Sequence, residues 1–398
     1  MTSTSHKTTR VWLSAMVLIG IFLMPEFARA QGETAVPFLL IAPNARNDGL
    51  GEAGAAITDD ASAVYWNPAG LAFEKGQEIS LTHSNWLPQF QQSDLFYDYF
   101  VYKNYIPDLD GTISGSITYL NLGEFAITTV SPDVIGTFKA YEVAVTAGYA
   151  TKLSNDWGVG LNLRYIRSVL APFDVQNQGR EGIASAPDFD IAFMWNPTSL
   201  YIPMIGDVGN QFSMGLNLQN LGPNMTYIDA AQADPLPTNL RLGFGFKPVV
   251  SDFNNMSIDI DFDRIMVRTY PEQVGPDSTL NVATGTYSLD VVNPSVDPLP
   301  KSLITTWGDG GFKRVDISGG IEYWYGAPKL LALRFGYFYE NPNYGDRKFM
   351  TFGAGIRYNN YGFDFSYLST IDANSPLANT LRFSLLMGWG QPAVETQQ

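Results

Sequence analysis

From about residue 110 to the end, apolar residues alternate with small or polar ones in segments of about ten residues. Trp157, Val159, Leu161, Leu163 and Tyr165 interleave with Gly158, Gly160, Asn162 and Arg164. Leu240, Leu242, Phe244 and Phe246 interleave with Asn239, Arg241, Gly243 and Gly245. Successive side chains of a strand point to opposite faces. Each segment therefore predicts a strand with one oily face and one face of glycine, amides and charge. In a soluble sandwich the oily faces would meet in a core. Here the segment ends are often aromatic and a secretory leader stands in front, which predicts an all-β transmembrane antiparallel barrel.

The alternating segments number about 14, with centres near Leu81, Tyr97, Ile117, Val145, Leu161, Ile191, Leu216, Leu242, Ile260, Ile321, Leu333, Ala354, Phe365 and Phe383. An even number suits a single-chain bacterial barrel. With a periplasmic amino terminus, even-to-odd connections are periplasmic turns, and most are short: Pro107–Asp110, Ser154–Asp156, Ser251–Asn254, Gly326–Pro328 and Asn359–Asn360. These are Gly, Pro, Asn and Asp clusters of the turn-forming kind. The opposite connections read as longer: 122–138, 171–186, 221–238 and, longest, about 268–315. Two connections break the rule, a long periplasmic 196–211 and a short outer one near Pro88.

The amino-terminal 1–30 reads as a cleaved signal peptide. Lys7 and Arg10 form a basic region, Val11–Met24 an apolar one, and Ala28-Arg29-Ala30 a cleavage site. No Cys follows the site, so no lipoprotein anchor is expected. Residues 31–75 lack alternation and are rich in Gly, Ala, Asp and Asn. They read as a hatch filling the lumen rather than a periplasmic tail. The barrel then spans 76–389, and 390–398 is a periplasmic carboxy-terminal tail.

Composition narrows the chemistry. The chain has no Cys and two His, His6 and His83, of which the first lies in the leader. That excludes disulfides and thiolate sites, and leaves no His-based triad or multi-His metal centre. The formal net charge of −15 argues against nucleic acid, which needs a basic face. The 37 Gly, 25 Phe, 21 Tyr and 8 Trp suit a barrel with a close-packed inner wall and aromatic girdles.

Gly49-x-Gly51-x-x-Gly54 matches the dinucleotide fingerprint, but no βαβ unit surrounds it. Its glycines read as tight turns within the hatch. Asp259, Asp261 and Asp263 resemble the start of a calcium loop, yet the sixth position is Arg264 and the twelfth Tyr270. They read instead as a strand turning carboxylates inward, as do Asp188 and Asp190. Glu142, Arg164, Arg241, Glu322, Arg334, Glu340, Arg357, Asp364 and Arg382 share the inward phase. Facing lipid at mid-depth an Arg costs about 2–4 kcal/mol; facing the lumen these charges can pair with one another and with the hatch. No nucleophile–base constellation and no cofactor site is expected.

The hatch also carries recognisable motifs. Ala45-Arg46-x-x-Gly49-x-Gly51-Glu52-Ala53-Gly54, and then Asp59-Asp60-Ala61-Ser62-Ala63-x-x-Trp66-Asn67-Pro68-Ala69-Gly70-Leu71-Ala72, resemble the amino-terminal hatch of FadL-like barrels. Those are 14-stranded outer-membrane proteins that take up hydrophobic molecules. The later motifs Asp263–Val267, Gly319–Tyr325, Arg334–Glu340, Gly345–Phe349 and Pro376–Leu385 resemble the PorV family of the type IX secretion system of Bacteroidetes. The resemblance implies a shuttle that receives cargo at the type IX translocon through the cargo's carboxy-terminal signal domain. It also implies delivery to a surface attachment complex containing a sortase, with the shuttle held among outer-membrane lipid and lipopolysaccharide.

An adaptor needs apolar anchors within a polar rim. The long outer loop offers Tyr270, Val274, Leu280, Val282, Tyr287, Leu289 and Val291, with Val292 beside them. The alternative function, FadL-like transport of hydrophobic molecules, needs an apolar pocket under the outer loops. Inward-phase Leu120, Trp324, Phe338 and Leu386 could line one, and could equally pack against the hatch.

Overall fold

The computed structural model describes residues 34–90, 95–128, 133–174, 181–228, 233–268, 297–372 and 375–390, with four short strand pieces between 273 and 292. The signal peptide and 391–398 lie outside the described residues. Among the described residues no helix is long and apolar enough to cross a membrane.

Fourteen antiparallel strands close into a barrel. They are β1 (Gln77–Asn85), β2 (Phe96–Ile106), β3 (Gly111–Thr128), β4 (Val134–Lys152), β5 (Trp157–Asp174), β6 (Glu181–Trp195), β9 (Phe212–Leu221), β10 (Asn239–Val250), β11 (Asn254–Ile265), β16 (Asp316–Tyr325), β17 (Leu331–Tyr339), β18 (Lys348–Tyr358), β19 (Tyr361–Thr370) and β20 (Thr380–Trp389). Closure comes from β1 pairing with β20, from Gln77↔Trp389 to Ser84↔Arg382. Each strand centre read from the sequence falls within one of these strands.

The two faces divide as the alternation requires. Leu163 is 65% exposed, whereas its neighbour Arg164 is 7% exposed. An aromatic ladder climbs the outside of neighbouring strands: Trp157–Trp195, Trp195–Phe212, Phe212–Phe244 and Phe244–Phe262, at centroid separations of 5.9, 5.8, 6.4 and 6.3 Å. Such contacts add about 0.5–1.5 kcal/mol each beyond burial.

Two expected outer loops are largely strand. Within 122–138, β3 runs on to Thr128 and β4 begins at Val134; within 171–186, β5 reaches Asp174 and β6 begins at Glu181. With 18, 19 and 18 residues, β3, β4 and β5 exceed the roughly 9–11 that span a bilayer. Above the lipid an outward residue need not be apolar, so the alternation fades while the ladder continues.

The long periplasmic connection 196–211 holds a small hairpin, β7 (Tyr201–Ile202) with β8 (Gly206–Asp207). Asp207 accepts the backbone N–H of Leu200 and Gly209 and the Ser199 hydroxyl. Those donors hold its carboxyl below the usual carboxylate range. In the longest outer connection, β12 (Gln273–Val274) pairs with β15 (Val291–Val292), and β13 (Thr279–Asn281) with β14 (Thr286–Ser288).

Candidate functional site

The lumen holds residues 34–75, which cross it from the outer side to the periplasmic side. The Ala35 amide donates to the Pro235 carbonyl (2.9 Å), in the outer connection between β9 and β10. Val36, Phe38 and Leu39 then pack with Leu120, Ile166, Met225 and Leu236 of the wall and outer loops. A helical turn follows over Ala45–Asp48, another over Ala63–Trp66, and a 3-10 segment over Pro68–Phe73. At the periplasmic end Glu74 pairs with Lys103 of β2 (3.3 Å).

The hatch motif has a structural task. Asn67 is fully buried; its side chain accepts from the Ala69 amide and donates to the carbonyls of Ala55 in the hatch (2.9 Å) and Phe193 in the wall (3.1 Å). It thus starts the Pro68–Phe73 segment, with Pro68 at the position where a missing N–H costs nothing. Ala69 and Gly70 follow inside that turn, Gly70 against Thr58. Gly49 lies against Gly353, and Gly54 against Trp66. Gly51 has φ +72° and touches the Tyr337 backbone, while a Cβ on the facing Gly336 would sit 2.0 Å from the Gly51 amide nitrogen. Only glycine permits that backbone-to-backbone approach.

Charge locks hatch to wall. Arg46 of the hatch donates to both oxygens of Glu322 on β16 (2.9 and 2.7 Å), and to Asp59 (2.5 Å) and Asp60 (2.8 Å). Glu322 also accepts from Arg334 (2.6 Å), which donates to Asp364 (2.8 Å), which accepts from Arg357 (2.7 Å) at the periplasmic mouth. A second lock joins hatch Asp48 to Arg382 and to the Ser366 hydroxyl (2.6 Å). In a third, Asp261 accepts the amides of Gly54 (2.8 Å) and Ala55 (2.9 Å). Arg241 pairs with Asp263 (2.5 Å) and lies 4.5 Å over the Trp66 ring.

Arg164, Glu142 and Glu340 find their partners in the wall and rim, while Glu78 accepts the hatch amide of Ala61 (2.9 Å). Arg164 donates to Asp188 (3.0 Å) and Asp190 (2.6 Å) on β6. Glu142 accepts the Ser168 hydroxyl (2.8 Å), and Glu340 pairs with Arg347 (2.9 Å) at the outer rim. Sequence reasoning did not single out the hatch partners Arg46, Asp48, Asp59 and Asp60 as one set. Their signal is that, with Glu52, they are the charges of the stretch 45–73.

The four residues offered as a pocket lining are scattered. Leu120 packs on the hatch, Phe338 stacks on Phe349 (4.8 Å), and Trp324 lies beneath the guanidiniums of Arg334 and Arg357. Leu386 lines a cavity of about 520 Å³ at the periplasmic mouth with Trp324, Lys329 and Glu78. Between hatch and wall at Leu39, Val64, Tyr97, Tyr99 and Arg164 a void of about 10 Å³ remains. His83 pairs with Asp98 (2.7 Å), both being exposed. Among the described residues no group of three or more acidic, His or Cys side chains is placed to hold a metal. Of the outer-loop residues, Val274, Leu280, Tyr287 and Val291 lie in β12, β13, β14 and β15, while Tyr270, Val282 and Leu289 lie outside the described residues.

A closed fourteen-stranded barrel with lipid-facing apolar residues and an occupied lumen is an outer-membrane barrel of the plugged kind. Residues 27–272 match the family described as type IX secretion system protein PorV, and the chain belongs to that family. No curated protein sequence matches it. Similar solved structures include the Ralstonia pickettii toluene transporter TbuX: 13% identity, 87% of this chain and 97% of that chain, TM-score 0.49. The P. putida toluene transporter TodX is 10% identical over 87% and 98%, TM-score 0.48. A Pseudomonas aeruginosa FadL homologue is 12% identical over 87% and 98%, TM-score 0.43.

Proposed function

We propose that this chain is an outer-membrane adaptor of type IX secretion. It binds the folded carboxy-terminal signal domain of cargo at the translocon and passes it to the sortase-containing attachment complex. Family membership supplies the secretion system. The observation that carries the adaptor role is the filled lumen. Residues 34–75 are stapled to neighbouring β11 and β16 through Asp261 and Glu322, to β20 through Arg382, and across the barrel to β5, where the Asn162 side chain donates to the Val64 carbonyl (2.8 Å). A polypeptide has no passage there, so a role in secretion falls to the outer loops and the rim. The 1–30 leader and its cleavage before Gln31 belong to the same reading.

Transport of hydrophobic molecules gains less support. The void between hatch and wall near Tyr97 and Tyr99 is about 10 Å³, and the cavity of about 520 Å³ at the periplasmic mouth is lined by Arg46, Asp59, Asp60, Glu78 and Arg357, whereas a site for hydrophobic molecules is mostly apolar. The test is a pulldown of the native complex from gently solubilised membranes. Co-purification of translocon or of cargo bearing its signal domain is expected. Recovery of neither would sink the adaptor role and leave the family assignment standing.

A further inference from the structure

One outward-phase charge is covered by the chain itself. On β11, Ile258, Ile260 and Phe262 face outward, and the next residue in that phase is Arg264, opposite outward Leu240 of β10. Arg264 is nevertheless only 2% exposed. The chain returns to cover it. Ser302–Thr305 is one helical turn, followed by turns over Thr306–Gly308 and Gly311–Arg314. The guanidinium donates to the carbonyls of Thr306, Gly311 and Asp309, the last at 3.3 Å, and lies 4.5 Å from the Trp307 ring centre. Arg268 donates to the Thr305 carbonyl (3.0 Å), and Arg314 pairs with Asp309 (2.7 Å). Residues 302–314 thus form a flap folded over the outer end of β11, with Arg314 against the Tyr344 ring of the rim (5.5 Å).

What the flap turns away from the wall is apolar. Ile304 is 77% exposed and Phe312 81%, and Phe312 meets Trp307 edge-on at 5.7 Å. Its height on the barrel follows from register. Asp263 pairs with Asp316, so Arg264 stands level with Val315. Ten residues separate that level from Tyr325 at the periplasmic end of β16. At a rise of about 3.4 Å per residue and a tilt of about 40°, that is roughly 25 Å, the height of a barrel's apolar band. The flap therefore lies at the outer edge of the band, continuous with outward Phe262 and Ile317.

We propose that residues 302–314 are an interfacial flap that seats Ile304, Trp307 and Phe312 in the outer leaflet of the membrane, at the boundary between headgroups and acyl chains. Aromatic and aliphatic side chains on a short helical element favour that depth. The cover over Arg264 fits the same setting. In water a guanidinium needs no carbonyl cage, whereas beside lipid its donors call for partners, which Nη1 and Nη2 of Arg264 have here and Nε lacks. The flap turns the carboxy-terminal end of the long outer connection back onto the barrel. This inference rests on the barrel's place in a membrane and is independent of the adaptor role.

Because the chain has no Cys, single substitutions can be labelled without background. Ile304→Cys and Phe312→Cys, each carrying an environment-sensitive nitrobenzoxadiazole dye, would be reconstituted as the full chain in liposomes. Leu163→Cys, on the lipid-facing wall, and Asn155→Cys, in a periplasmic turn, are the references. Heat-modifiable mobility confirms that each variant folds. Flap labels should emit to the blue of the Asn155 label. Lipids with a quencher near the headgroup should quench them more than lipids with a quencher at the chain end, the reverse of the Leu163 label. Water-like emission, with quenching by aqueous iodide and none by labelled lipid, would overturn the proposal and leave the patch for a protein partner.

Discussion

Glu322 receives guanidinium groups from the hatch and from the wall, Arg46 and Arg334, and is itself buried. Removing one member of a buried pair leaves the others uncompensated and costs about 3–5 kcal/mol. Glu322→Gln should therefore lower the unfolding free energy of the refolded barrel by an amount of that order, seen as a lower denaturant midpoint in heat-modifiable mobility. Asp108→Asn, in an exposed periplasmic turn, should change it by less than about 0.5 kcal/mol. Equal midpoints for Glu322→Gln and the natural chain would mean that the Glu322 contacts with Arg46 and Arg334 contribute nothing to stability. The wall half of this network is legible in sequence, since a charge in the inward phase of a strand has one favourable place to go. The hatch half is not. Arg46, Asp48, Asp59 and Asp60 sit in a segment without period, so nothing in their spacing says which wall residue each will meet.

At the scale of elements, the strands were legible because lipid imposes a strict outward preference, and every centre from Leu81 to Phe383 falls inside a strand. Legibility ends where the lipid does. Beyond Asn121 the ladder shifts register at Gly123, and β3 and β4 continue without an oily face to mark them. The flap over Ser302–Arg314 was missed for a related reason: turns of three or four residues carry no period. Its one signal is Arg264, a charge in the outward phase directly after Phe262. The hatch is the element whose removal has the clearest consequence. Deleting residues 31–70 should raise single-channel conductance in a planar bilayer, because the staples to Glu322, Asp261 and Arg382 go with it. Unchanged conductance would mean that the outer loops close the pore by themselves. The β12–β15 region calls for a different test. Removing a hydrophobic anchor from an interface centre costs about 2 kcal/mol, roughly thirtyfold in affinity. Replacing Tyr287, Leu289 and Val291 with Ser should weaken capture of translocon or cargo while leaving barrel folding intact. Native recovery of partners by the folded triple variant would move the binding element to other outer loops or to the wall.

For the whole molecule, the central claim is that a protein of a secretion family works with its lumen shut. The hatch would have to leave for anything to pass, and holding it in place permanently separates an adaptor from a conduit. Hatch residue Ala45 and wall residue Ser384 meet through a hydrogen bond of 3.0 Å from the Ala45 amide to the Ser384 hydroxyl. In a chain without Cys, the double variant Ala45→Cys with Ser384→Cys can be joined by oxidation or by a short bifunctional thiol reagent, and the joined form is seen by its altered mobility. Cargo secretion by cells carrying the joined protein is the measurement. Secretion at the rate of the uncrosslinked variant is the predicted result. Secretion that collapses on cross-linking and returns on reduction of the bond would contradict the account.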